Sequence, residues 1–185
     1  TDCIKRDIET FLGMKKVCRK DSGYMRKNLT LSVVRCTGES EKYARILDFL
    51  EEHKKKNGII YCSTREKATE VYNCLTGRYY KAALYHGGME KEKREKAYRR
   101  FMRGSCRIMV CTNAFGMGID KGNISFILHF AMPLNLESYS QEIGRAGRNG
   151  REAECVLYYC AQDKTILEGV LKLSERPGWY DGQMS

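Results

Sequence analysis

The chain has 185 residues, 42% of them hydrophobic and 30% charged, which suits one soluble domain with a real buried core and a tail at each end. Thirty-three Lys and Arg against 23 Asp and Glu leave a net charge of +10, which favours a polyanionic partner, nucleic acid first, without any sequence preference. No signal-peptide pattern or membrane-length apolar run occurs, and nine cysteines with no C-x-x-C pair beside three scattered histidines lack zinc spacing, so we expect an intracellular protein, cytoplasmic or nuclear, with reduced cysteines, no metal of its own and no membrane contact.

Strand and helix patterns alternate along the chain. Residues 2–13 carry an amphipathic stripe (Ile4, Ile8, Phe11, Leu12) and lead into a basic stretch without periodicity. Leu29 to Arg35 is β-branched and extended in character. Gly38 to Lys56 reads as a helix whose inner stripe is Tyr43, Ile46, Leu47 and Leu50. Gly58 to Cys62 is a short, wholly apolar strand of the buried parallel type. Ser63 and Thr64 can cap a helix over Arg65–Leu75. Lys81–Tyr85 is the next strand, His86-Gly87-Gly88 a turn, and Glu90–Arg103 a charged helix with Ala97, Tyr98, Phe101 and Met102 inside. Arg107–Thr112 is another buried strand, Asn113–Gly122 a glycine-rich loop, and Ile124–Phe130 a strand stopped by Pro133. Asn135 can cap the following helix. Glu154–Cys160 is the last strand, Gln162–Leu173 the last helix, and 174–185 a loose tail. The expected fold is α/β: a parallel sheet flanked by helices on both faces.

In such a sheet, ligands gather at the carboxyl ends of the strands. The polar loops fall there: Ser63, Thr64 and Arg65; His86 and Gly87; Thr112 and Asn113 with Gly118 and Asp120. Together they offer hydroxyls, backbone N–H groups and guanidiniums that can follow a sugar-phosphate backbone. The segment Gln141-Glu-Ile-Gly-Arg-Ala-Gly-Arg148 adds two arginines three residues apart, which on a helical turn would share one face. Their planar donor forks suit phosphate oxygens and the charge that builds during phosphoryl transfer.

These motifs resemble the second RecA-like lobe of superfamily-two helicases, and specifically the RecQ DNA helicases. The resemblance spans residues 29–165 and rests on Ile59–Arg65, Tyr85–Met89, Cys111–Lys121 and Gln141–Gly150. Residues 1–28 would then be the end of the first lobe and the inter-lobe linker, and 166–185 a C-terminal helix and tail. The resemblance implies that Arg148 is an arginine finger toward the ATP γ-phosphate, with Arg145 beside it on phosphate or holding the motif. It implies that Gln141, Glu142, Gly118 and Asp120 line the nucleotide cleft, Asp120 meeting the ribose or the arginines. Ser63, Thr64, Arg65, Thr112 and Asn113 would touch phosphates of the tracking strand, with His86 and Gly87 near the same path. Movement on DNA would run 3′ to 5′.

No G-x-x-x-x-G-K-[ST] loop and no Asp-Glu magnesium box occurs in the 185 residues. ATP and Mg²⁺ would be held mainly by a first lobe, so the isolated lobe is expected to be inactive. Two other readings stay open: a non-motor RecA-like module that binds single-stranded nucleic acid, and a lobe of an RNA helicase.

Overall fold

The structure is a computed structural model in which residues 10–11, 26–115 and 120–163 are described. Six strands form one sheet: β1 (Leu29–Arg35), β2 (Asn57–Tyr61), β3 (Ala82–Tyr85), β4 (Ile108–Cys111), β5 (Ile124–His129) and β6 (Ala153–Tyr159). Their order is β1-β6-β5-β2-β4-β3, and every pairing is parallel. Four helices connect them: α1 (Glu39–Glu52), α2 (Arg65–Thr76), α3 (Lys91–Met102) and α4 (Leu136–Ile143). The fold is RecA-like α/β. The expected helix within 2–13 apart from residues 10 and 11, which are helical, the tail at 174–185, Gly118, and all of the expected helix Gln162–Leu173 beyond Asp163 lie outside the described residues.

Strand alternation assigns the core to two faces. Ile60 and Cys62 of the β2 segment point to the side covered by α1 and α2, where they meet Ile46, Leu50, Ala68, Val71 and Leu75. Ile59 and Tyr61 point the other way, toward Ala97 and Phe101 of α3 and Ala146 beyond α4. The central strands are covered on both sides, which is why β2 and β4 read as unbroken apolar runs. Gly58 is required in β2 for space, since a Cβ there would sit 1.9 Å from the Phe126 ring of β5.

Local signals set most element ends. Thr64 caps α2 by accepting the Lys67 N–H at 3.1 Å, and Asn135 caps α4 by accepting the Ser138 N–H at 2.8 Å. The first helix stops at Glu52, four residues before Lys56. After Leu50 no apolar side chain remains to hold a further turn on the sheet. His53 instead stacks on Phe49 with ring centroids 4.0 Å apart, and its two nitrogens lie 2.8 Å from the Phe49 carbonyl oxygen and 2.8 Å from a Glu154 carboxylate oxygen.

A buried ion pair joins α1 to the end of the described chain. Lys42 is fully buried, its Nζ lying 2.6 Å from both oxygens of Asp163 and donating to the Phe130 carbonyl at 2.8 Å. Asp163 also accepts the Cys160 N–H at 2.8 Å. Of the seven cysteines among the described residues, six are buried and Cys74 is partly so, all as free thiols. Burial pushes the Cys155 thiol up to about 12 and raises those of Cys62 and Cys111 well above the ordinary thiol value, which keeps them protonated and unreactive.

Candidate nucleotide and nucleic-acid interface

The chain leaves β2 toward β3 on one side of the sheet and leaves β5 toward β6 on the other, so a crevice opens between their carboxyl ends. A cavity of about 230 Å³ occupies it, lined by Ser63 after β2, Asn113 after β4, His129 and Met132 at the end of β5, and Ser138 and Glu142 of α4. Its floor is a buried pair: His129 Nε2 lies 2.9 Å from Glu142 Oε2, and the two side chains are 1% and 12% exposed. The imidazole stacks on Tyr61 at 5.4 Å, and its Nδ1 has no hydrogen-bond partner among the described residues. Glu142 is thus locked into the crevice wall. Gln141, one position earlier on α4, is exposed and reaches Glu137 at 3.4 Å.

The arginine segment differs from the single helical face expected of it. Helix α4 ends at Ile143, and residues 144–149 form successive turns. Gly147 takes φ +58, and a Cβ there would lie 2.5 Å from Asn28 Nδ2 and 2.8 Å from the Arg151 carbonyl. That left-handed residue separates the two arginines. Arg145 turns inward and is half-buried, its Nε without a hydrogen-bond partner among the described residues. Burial drives the Tyr61 phenol pKa upward while the neighbouring Arg145 guanidinium opposes the shift, which sets Arg145 beside that ring. Arg148 turns outward. Its side chain is 37% exposed, its Nη1 donates to Asp120 at 3.2 Å, and Asp120 is 88% exposed. Arg148 Nε also donates to the Gly144 carbonyl at 3.4 Å, and an exposed pair such as Arg148–Asp120 is by itself worth about 0–1 kcal/mol.

Two residues outside every recognised motif hold this segment. Arg26 donates to the Gly144 carbonyl at 2.9 Å and the Gly147 carbonyl at 2.7 Å. Asn28 donates to the Gly147 and Arg151 carbonyls at 2.8 and 2.7 Å. The Gly147 and Asn149 N–H groups donate to the Ile124 and Gly122 carbonyls. The turn that presents Arg148 is therefore pinned from both flanks. Sequence reading placed Arg26 and Asn28 in a patternless basic stretch because their partners lie 118 or more residues away. His129 escaped notice because it ends an apolar strand and reads as core.

The remaining loops line the same rim. The Arg65 guanidinium packs on the 86–88 turn, near enough that a Cβ on Gly88 would meet Arg65 Nη1 at 3.0 Å. Ser63, Arg65, Gly87 and Asn113 are exposed there. The Thr64 hydroxyl accepts the α2 cap bond yet keeps its proton to donate. Thr112 is 6% exposed, so its side chain presents little surface. His86 is partly buried, its Nδ1 unpartnered among the described residues, and burial, then the Arg65 charge, hold its pKa below the ordinary imidazole value. Below about pH 6.5 the unfolded chain takes up a proton that the folded site resists, so this contribution to stability is present above that pH and lost as pH falls. The melting temperature of wild type should therefore drop more than that of His86→Gln between pH 7 and 5.5, while the two curves run parallel above pH 7. Parallel curves over the whole range would disprove the account.

The family described as helicase conserved C-terminal domain matches residues 41–150. The chain is 41% identical over 173 residues to the ATP-dependent DNA helicase RecQ of Bacillus subtilis (strain 168), covering 93% of this chain and 29% of that protein. It is 37% identical over 170 residues to the RecQ of Haemophilus influenzae, covering 90% of this chain and 26% of the relative. The chain thus spans under a third of the length of these relatives. Among solved structures, the E. coli DEAD-box protein SrmB bound to regulator of ribonuclease activity A superposes with a TM-score of 0.68 at 26% identity, over 83% of this chain and 89% of that one.

Proposed function

Because the chain belongs to the helicase conserved C-terminal domain family, on its RecQ branch, we propose that it is the second motor lobe of an ATP-dependent 3′-to-5′ DNA helicase. The observation that carries this reading is the outward Arg148 on a turn clamped by Arg26 and Asn28. An arginine held at a fixed place by backbone bonds, and opposed by an exposed carboxylate, fits a phosphate brought up by a neighbouring lobe. When bound, ATP supplies the bond whose cleavage drives the motor. The chain's own part is positional. Arg148 meets the developing phosphoryl charge, Arg145 stiffens the turn against Tyr61, and the His129–Glu142 pair fixes α4 relative to β5. Ser63, Thr64, Arg65 and Asn113 grip phosphates of one DNA strand on the same rim, so closing and opening of the cleft shifts that grip along the strand.

Among the described residues no group of His, Cys, Asp and Glu is arranged to hold a metal ion. In this reading Mg²⁺ and most of the nucleotide sit on the first lobe. The isolated chain should then show no DNA-stimulated ATPase activity, and a P-loop-bearing first lobe added in trans should restore it. A steady turnover from the chain alone would refute the division of labour. Binding of single-stranded DNA with no restored hydrolysis would favour a passive binding module.

A further inference from the structure

The sheet has a second, opposite rim. At the amino ends of β2, β3 and β4 a cavity of about 340 Å³ is lined by Lys54, Lys56, Arg78, Lys81 and Arg107. Two carboxylates partly answer these five cations. Glu51 takes Lys54 at 2.6 Å and the Tyr80 hydroxyl at 2.5 Å, and Glu154 lies 3.5 Å from Lys56. The cavity therefore keeps an excess of positive charge, held on the ends of three strands and the turn after α2.

Tyr79 lies on the same cavity. It is 95% exposed, and its backbone takes φ +63, the one positive-φ residue other than glycine among those described. The position closes α2, where the Tyr79 and Tyr80 N–H groups donate to the Thr76 and Leu75 carbonyls at 3.0 and 3.1 Å. Helix ends of this kind favour glycine or asparagine, since a Cβ in the left-handed region is strained. A bulky ring there costs backbone energy, and at this exposure no packing within the chain offsets it. Strain without a packing return points to a contact outside the chain.

We propose that this rim is a second contact for single-stranded nucleic acid, in which the lysines and arginines take backbone phosphate and Tyr79 stacks on a base. The cations alone would suit any polyanion. A fully presented ring among them suits a base and its phosphates together, the combination used by sequence-tolerant strand-binding surfaces. Strands of four to five residues set the two rims about 13 Å apart or more, so this one would hold a different stretch of nucleic acid from the one at Ser63 and Arg65. The inference rests on the proposed function only for the identity of the polyanion.

The test is fluorescence anisotropy of a labelled 20-nucleotide oligo-dT against the whole chain over a salt series. Tyr79→Gly relieves the left-handed strain and should melt no lower than wild type, yet bind about tenfold more weakly. Lys56→Glu with Lys81→Glu should weaken binding and reduce the steepness of the salt dependence by about 1.4, two single-strand phosphate contacts at about 0.7 each. Wild-type affinity and slope in both variants, with Arg65→Ala impaired, would overturn this site and leave the motor reading intact. Absence of oligonucleotide binding by the unmodified chain would overturn both. If Tyr79→Gly is silent while the double variant loses a poly-glutamate peptide as readily as oligo-dT, the rim is an acidic-peptide surface and the proposal is wrong.

Discussion

Replacing Arg148 with alanine in the full-length protein should lower the ATP turnover number by roughly 10³-fold or more while leaving nucleotide affinity nearly unchanged. The expectation follows from where the side chain stands. Arg148 is half-exposed, and its Nη1 contact to Asp120 is long for a charged pair and open to water. That pair by itself contributes little to folding, and in the finger reading the loss falls on the chemical step. Arg148→Lys should rescue only a small part, since an ammonium cannot reproduce the two-pronged contact of a guanidinium with phosphate oxygens. Arg145→Ala should behave differently. That side chain sits half-buried against Tyr61, so its removal should lower the melting temperature as well as the rate. Measuring kcat, KM and melting temperature for the three variants separates the roles. A turnover number within tenfold of wild type for Arg148→Ala would remove the finger assignment.

The second large effect concerns stability. Lys42→Ala should destabilise the chain by about 3–5 kcal/mol, because it leaves the Asp163 carboxylate buried without its cation. For a domain of this size that corresponds to a fall of roughly 10 °C in melting temperature. The Phe130 carbonyl loses a donor in the same change. Lys42→Met combined with Asp163→Asn should recover part of the loss, since the amide oxygen can still accept the Cys160 N–H while no uncompensated charge stays inside. A single Lys42→Ala that melts within 2 °C of wild type would show that water reaches the pair (about 1 kcal/mol or less at stake).

Much of the fold was legible residue by residue. The strand at Leu29–Arg35 was read to its ends, and the caps at Thr64 and Asn135 follow from hydroxyl and amide chemistry that acts within three residues. The candidate rim was legible as a set of loops, because parallel topology sends every strand's carboxyl end to one edge. Less legible was the break between Arg145 and Arg148. The glycines at 144 and 147 were visible, but the left-handed turn at Gly147 is imposed by Asn28 and Arg151 closing on its backbone. The overlong first helix has the same kind of cause, a tertiary contact from His53 to Glu154 across 101 residues.

The sequence by itself determined the alternation of strands and helices, the membership of the family, and which residue types reach the carboxyl rim. Those properties depend on periodicity, capping and short motifs, whose interactions are local along the chain. Only the tertiary structure decided that Arg145 faces inward and Arg148 outward, that Arg26 and Asn28 clamp the turn between them, and that Lys42 is buried against Asp163. Each of these is a pairing between side chains or backbone groups far apart in sequence, and its energy depends on burial and distance, which a linear string of residues does not carry.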